Sequence, residues 1–591
     1  MSTYIAPLKD MRFVLNELAG LSEVAKLPGY QDATPDTVDA ILEEASKFAS
    51  EVLDPINYSG DREGSKLTGG EVRTPKGFRD AYKKFCEGGW NALPFEAQWG
   101  GQGLPRLVST PVQEMWKSSN LSFSLCPLLT QGAIEALLLR GSEPLKQAYL
   151  PSMVEGKWTG TMNLTEPQAG SDLSLVRTRA EREDDHYRIS GQKIFITYGE
   201  HDLAENIVHL VLARTPQAPE GVKGISLFVV PKFMPGKDGK PGKRNSAKCV
   251  SIEHKLGIHA SPTAVMVYDK AVGYLVGEEN RGLEYMFIMM NAARFGVGLE
   301  GVAIAERAFQ RALAFAKERV QGRDLVQGGK AVPIIRHPDV RRMLMLMKSQ
   351  TEAMRALAYT TAAAMDFAQR HPDSEIRKKH QAFVDLMIPV VKGWCTETGI
   401  EVASLGVQVH GGMGFVEETG AAQYLRDARI TTIYEGTTGI QAMDLVGRKI
   451  AREAGATAKA WLSTLRQLDA DLAKSGNADI KALRASFARG VQALADGVEF
   501  IVAEKNPHAA FAGAVPFLKL VGIVAGGWQM SRAALTAEKK LSADQPFYAA
   551  KIATARFYGD HVLVQAPALR DTVVNGAAGV MALSEDQFLA A

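Results

Sequence analysis

"HYRISGQKIFITYG", residues 186–199, is rich in β-branched and aromatic residues within a chain that otherwise carries helical spacing. Three similar runs follow: NIVHLVLART (206–215), GISLFVVP (224–231) and TAVMVYDKAVGYLVG (263–277), each set off by Gly or Pro. Together they predict a unit of antiparallel strands. Between two of them lies KFMPGKDGKPGKRNSAKC (232–249), a Gly/Pro/Lys loop whose charge could meet an anionic ligand or stay as solvated surface. Upstream, the first ~160 residues have helical periodicity. In TPDTVDAILEEASKFASEVLDP (34–55), Thr34 is placed as N-cap and Pro35 at the first helical position. Val38, Ile41, Leu42, Ala45, Phe48, Ala49, Val52 and Leu53 then form one apolar face. Downstream, from about Gly282, the helical period returns in three long segments (284–320, 337–370 and 378–412). After AGATAKA (454–460) a further Ala/Leu-rich helical region runs to the end. This order is not the βαβ alternation of a dinucleotide fold. A nucleotide cofactor, if bound, is held by another design.

At 591 residues the chain exceeds what one core supports. A composition of 46% hydrophobic and 23% charged residues is globular, and a net charge of +2 gives no electrostatic footprint for nucleic acid. Cys86, Cys126, Cys249 and Cys395 lie far apart without a Cys-x-x-Cys pair, so reduced thiols are expected and no metal site. The opening MSTYIAPLKDMRF lacks the apolar core of a signal peptide. The run AGAVPFLKLVGIVAGGWQM (512–530) contains Pro516, Lys519 and several glycines, so no membrane-spanning helix is expected. The expectation is a soluble, cytoplasmic protein.

Three stretches bear on chemistry. NLTEPQAGSD (163–172) offers the hydroxyls of Thr165 and Ser171 among small residues, groups suited to a flavin edge or a phosphate. QVHGGMGF (408–415) sets Gly411, Gly412 and Gly414 where backbone must approach something closely. IYEGTTGIQ (433–441) places Glu435 before a Gly-Thr-Thr-Gly run that opens a helix, a position that favours anions. Capping falls to Thr437 or Thr438, not to the glutamate. On this motif alone Glu435 is either a solvated loop residue or a tuned acid/base.

With these stretches in this order, the sequence resembles the acyl-CoA dehydrogenase family over residues ~35–450. The resemblance implies an α+β multidomain fold. It has an N-terminal α-helical domain (1–160), a middle antiparallel β-barrel-like domain (161–280) and a C-terminal four-helix domain (281–455), plus an extra helical C-terminal domain (456–591). It implies FAD as cofactor, an acyl-CoA substrate oxidised to trans-2-enoyl-CoA, an electron-transfer flavoprotein as acceptor, and a homodimer. Carried over residue by residue, Leu164 and Thr165 would meet the flavin, and Ser171 the cofactor or the CoA phosphates. Phe195 and Thr197 would cover the other flavin face. Arg319 would reach the pyrophosphate of a neighbour's FAD, and Gln408, Gly411 and Gly412 the neighbour's adenosine side. Thr437 would bind FAD phosphate, Asn291 and Gly436 would lie at the substrate, and Glu435 would be the base; Arg294, one turn after Asn291, reads equally as a CoA-binding residue or as one that structures the helix.

The sequence departs from the family pattern in places. Met162 and Phe195 stand where many members carry Tyr and Trp, Gly322 where Phe is common, Gly439 where Gln is, and Asn291 where Asp is. A branch that places its base on the long helix would need Glu near Ala293, which alanine cannot replace. His410 reads equally as a cofactor contact or a packed histidine. The opening YIAPLKDMRFVLNEL and the length beyond 456 resemble the ~600-residue bacterial subgroup, which includes dehydrogenases of 3-methylthiopropionyl-CoA and of a broad range of fatty acyl-CoAs. Two rival functions remain: an acyl-CoA oxidase passing electrons to oxygen, and a flavin-carrying nucleic-acid-binding relative, which would want a concentrated basic surface.

Overall fold

The computed structural model describes residues 3–236, 239–326 and 328–589. Helix α1 (Pro35–Phe48) starts as its sequence dictates: Thr34 is extended and its hydroxyl accepts from the Thr37 N–H, while Pro35 takes the first position. Val38, Leu42 and Ala45 are buried, as the apolar spacing requires. Helices α2 (Arg106–Ser119) and α3 (Leu121–Arg140) complete the core of this part. One feature escaped the helical reading. Lys66–Thr68 and Glu71–Arg73 form a short hairpin about Gly69 and Gly70, both with positive φ, a turn signal that was present in the sequence.

The strand unit comprises β1 (Trp158–Asn163), β2 (Arg179–Glu183), β3 (His186–Thr197), β4 (Asn206–Ala213), β5 (Ser226–Pro231), β6 (Ala247–Ile252) and β7 (Thr263–Leu275). They form one seven-stranded sheet in the order β1-β4-β5-β7-β3-β2, with β6 also paired to β7. Every pairing is antiparallel except β1 with β4, which run parallel from Trp158/Asn206 to Asn163/Val211. β4 and β5 are buried along their whole lengths, so the sheet is covered on both faces there. The Lys-rich loop folds into a small hairpin, Phe233–Pro235 against Pro241–Arg244; its Lys237 and Asp238 lie outside the described residues.

Next come three long helices, α4 (Gly282–Glu318), α5 (Pro338–Arg370) and α6 (Ser374–His410). α4 and α6 run parallel in close contact: a Cβ on Gly298 would meet Val391 at 2.6 Å, and one on Gly301 would meet the Cys395 carbonyl at 2.2 Å. A second hairpin (Val320–Asp324 with Gly328–Pro333) joins α4 to α5. By length and composition α3 and α4 could cross a membrane, but 83% and 78% of their most apolar windows are buried inside the protein. They are core helices. Residues 514–530 of the 512–530 run lie in α8 (Ala514–Lys539), packed through Gly522 on Trp394 of α6, with Lys519 paired to Glu401.

The C-terminal helices also hold the start of the chain, which the sequence did not signal. Asp10 pairs with Lys551 of α9 (Gln545–His561) and with Arg355 of α5 at 2.6 Å. Arg355, fully buried, also binds Glu114 at 2.6 Å and Glu306 at 2.7 Å. Glu17 pairs with Lys540 at 2.5 Å.

Candidate active site

The Glu435 loop leaves the helix Ala421–Ala428 through a single turn and enters α7 (Thr438–Met443). Thr437 caps α7, its hydroxyl accepting from the Ile440 N–H at 3.3 Å. Glu435 itself has φ +56° and Gly436 has φ +88°. A left-handed conformation at a non-glycine residue costs about 1–2 kcal/mol and is held only where surroundings impose it. Here they do. Tyr434 donates its hydroxyl to the buried Glu300 of α4. The buried Lys392 of α6 donates to the Gly436 carbonyl at 2.6 Å, and Gln441 donates to the Glu435 carbonyl at 3.2 Å. A side chain on Gly436 would meet Gln441 at 2.7 Å, so this residue has to be glycine on both counts.

The Glu435 side chain is half-buried and Arg294 is buried beside it. Burial pushes the Glu435 carboxyl up to about 7, against the pull of Arg294 and Lys392, with Glu300 adding to the rise. Arg294 donates to Asn291 at 3.3 Å and lies over the Phe287 ring, but its Nε has no partner among the described residues. The structure therefore brings Glu435, Gly436, Arg294 and Asn291 together. A carboxylate poised to exchange a proton near neutrality is suited to act as a general base.

A second group lies on the sheet. Lys193 of β3 is fully buried; its ammonium donates to the Leu164 carbonyl at 2.9 Å and to Glu166 at 2.8 Å. The Ile194 N–H binds the Thr165 carbonyl at 2.9 Å. Burial would push Glu166 up, but Lys193 and donors from Thr178 and Arg177 outweigh it and hold the carboxyl at about 2. Leu164 and Thr165 are thus pinned beside Phe195 and Thr197. Phe195 has φ +59° and presents 59% of its surface to solvent. The hydroxyls of Thr165 and Thr197 engage in no hydrogen bond among the described residues. An exposed aromatic platform flanked by unused hydroxyl donors fits the apolar body and polar edge of a flavin. Ser171 is exposed in the loop beyond.

The third group stands elsewhere. Arg319 ends α4, and Gln408, Gly411 and Gly412 end α6; all four are exposed. Open space surrounds Gly411 and Gly412, and Gly411 has φ +59°. His410 is buried between them and the helix, bonded to the Gly406 carbonyl at 2.7 Å and stacked on Phe315, so it packs. Arg319 and Arg294 are 25 positions apart along α4, roughly 37 Å at 1.5 Å per residue.

Glu300, Lys392, Glu166 and Lys193 were not singled out in the sequence.

Comparison with known proteins adds the family. The description "Acyl-CoA dehydrogenase, N-terminal domain" matches residues 35–157, the corresponding middle domain 161–271 and C-terminal domain 280–451. "Acetyl-CoA dehydrogenase C-terminal like" matches 454–584. The chain is 52% identical to the 3-methylmercaptopropionyl-CoA dehydrogenase of Ruegeria pomeroyi, over 96% of this chain and 97% of the relative. It is 34% identical to the broad-specificity linear acyl-CoA dehydrogenase FadE5 of Mycobacterium tuberculosis, over 100% of both. Its fold matches a Bacillus anthracis acyl-CoA dehydrogenase solved with FAD, at TM-score 0.72 and 21% identity, over 97% of this chain and 92% of that one.

Proposed function

The chain belongs to the acyl-CoA dehydrogenase family and is an oxidoreductase of that class, and we propose that Glu435 is the base with which it removes the α-proton of an acyl-CoA thioester. The observation that carries this reading is the half-buried Glu435 carboxyl, held near neutrality between Arg294 and Lys392 in a left-handed turn. The α-C–H beside a thioester is weakly acidic, so the base works best with a proton affinity raised toward that of its target. The Glu435 N–H, turned by the positive φ, is a donor for the thioester oxygen as negative charge grows there.

FAD, when bound, supplies the acceptor for the β-hydride. Leu164, Thr165, Phe195 and Thr197 would hold its ring. Ser171 and Thr437 would bind phosphate, and Gly436 keeps bulk from the space between ring and substrate. Arg319, Gln408, Gly411 and Gly412 are too far along the helices to join the same site, which supports a homodimer in which they complete the partner's FAD site. Asn291 and Arg294 orient the substrate. The 52% identical relative is named for 3-methylmercaptopropionyl-CoA, so we propose that thioester as the substrate. The test is anaerobic bleaching of the flavin by a panel of acyl-CoAs containing it, butyryl-CoA and longer chains. Reoxidation by an electron-transfer flavoprotein, without oxygen consumption, is expected; rapid oxygen uptake would make the protein an oxidase.

A further inference from the structure

Behind the Glu435 loop lies a set of buried charges that the proposed chemistry does not itself use. Glu300 is fully buried on α4; one carboxylate oxygen accepts from Tyr434, and the other has no partner among the described residues. Lys392 is fully buried on α6 and grips the Gly436 carbonyl. So the residues on either side of Glu435 are tied to opposite charges on two parallel helices. Lys117 of α2, also buried, faces Glu300 from a third helix. A fully buried acid is retained at a cost of several kcal/mol unless neighbours compensate it. A sequence needing only to fill this space would do better with an apolar residue.

We propose that Glu300 and Lys392 are positioning residues that bracket the Glu435 loop, fixing its left-handed turn and setting, through their opposite charges, the pH at which Glu435 gives up its proton. The proposal rests on Glu435 as the base. Arg294 and Glu300 from α4 and Lys392 from α6 act on the Glu435 carboxylate directly. Asp444 and Arg448 act on Arg294, Glu397 on Lys392, and Lys117 on Glu300. Burial pushes Glu300 up to about 7 and Lys392 down to about 8, so both can change charge near neutrality along with Glu435. Lys392 favours the carboxylate of Glu435; Glu300 opposes it.

The two charges therefore have effects of opposite sign, which a purely structural role would not produce. Glu300→Gln still accepts from Tyr434 but removes the negative charge, and should make Glu435 a stronger acid. Lys392→Gln removes the positive charge and should make it weaker. The expected change is at least about tenfold in acid dissociation constant each way, the effect of one unit charge roughly 12 Å away at an effective dielectric near 20. Lys392→Arg should restore the wild-type midpoint. The midpoint is read in two ways on the holoenzyme: from the pH profile of anaerobic flavin reduction, and from the protonated-carboxyl infrared band that Glu435→Gln abolishes. Displacements in opposite directions support the bracket. Equal midpoints, or displacements in the same direction, overturn it. If Glu300→Gln does not fold, Lys392→Gln against Lys392→Arg decides alone, since the first must shift the midpoint upward and the second must not. If Glu435→Gln reduces its flavin at the wild-type rate, the base assignment falls, while the infrared midpoints still judge the bracket.

Discussion

Phe315 stacks on His410 with ring centroids 4.4 Å apart, locking the ends of two parallel helices together. Arg319 lies one turn beyond Phe315, and Gly411 directly follows His410, so both occupy one exposed corner far from Glu435. That placement yields a test of subunit exchange. In a mixed dimer with Glu435→Gln on one subunit and Arg319→Ala on the other, one site keeps both residues intact if Arg319 serves the partner. If Arg319 serves its own subunit, neither site does. Co-expression should restore activity that each parent homodimer lacks, and light scattering should report a dimer; mixed dimers as inactive as their parents would refute the shared site.

Glu435→Gln keeps the size of the side chain and removes the proposed base. Flavin reduction by a good substrate should slow by about 10²–10⁴-fold, with FAD content and acyl-CoA binding retained. Stopped-flow absorbance under anaerobic conditions measures it. Turnover within a few-fold of wild type would return Glu435 to a loop role.

The raised proton affinity of Glu435 fixes the direction of the pH dependence. With Glu435 as the proposed base its carboxylate is the active form, so reduction should fall as pH drops through about 7, not through the ordinary 4.5. The folded state holds this proton more tightly than the unfolded one. The associated stabilisation is complete below about 4.5 and is lost as pH rises through about 7. Rate and stability thus respond to this group in opposite senses.

Glu166 and Lys193 form a buried pair that ties the 163–166 loop to the strand proposed to face the flavin. Removing one partner leaves the other charge buried and should cost roughly 3–5 kcal/mol. Glu166→Gln and Lys193→Met should each lower the urea midpoint and loosen FAD, because Leu164 and Thr165 lose their anchor. The double variant Glu166→Gln/Lys193→Met should lose less than the sum of the two. Strict additivity would show that the pair is not coupled.

Much of this was legible in the sequence where the signal is local. Thr34-Pro35 announces a helix start because capping depends on neighbours in the chain. The β-branched and aromatic run of 186–199 announces a strand, and the Gly-Thr-Thr-Gly run after Glu435 announces the start of a helix. The hidden features are those made by distant partners. Glu300 reads as one more polar residue on a helix, since Tyr434, which accounts for its burial, lies 134 positions away. Lys193 occupies a strand position that suits solvent equally well until Glu166 is seen beneath it. The parallel pairing of β1 with β4 is likewise invisible, because no local pattern encodes which strands become neighbours across a sheet.

The web around Arg355 sets the order in which the molecule can be completed. Asp10 leaves the ribosome almost at once, but its partner Lys551 is separated from it by 541 positions. At about 5–20 residues per second, synthesis of the intervening chain takes on the order of half a minute or more. Until then, the cluster of Asp10, Arg355, Glu114 and Glu306 lacks the ammonium that pairs with Asp10. The first segment made therefore gains its final partners only with the last helices. A chain cut short before its last helices, by stalled synthesis or by a protease, would leave Asp10 and Glu17 without their lysine partners.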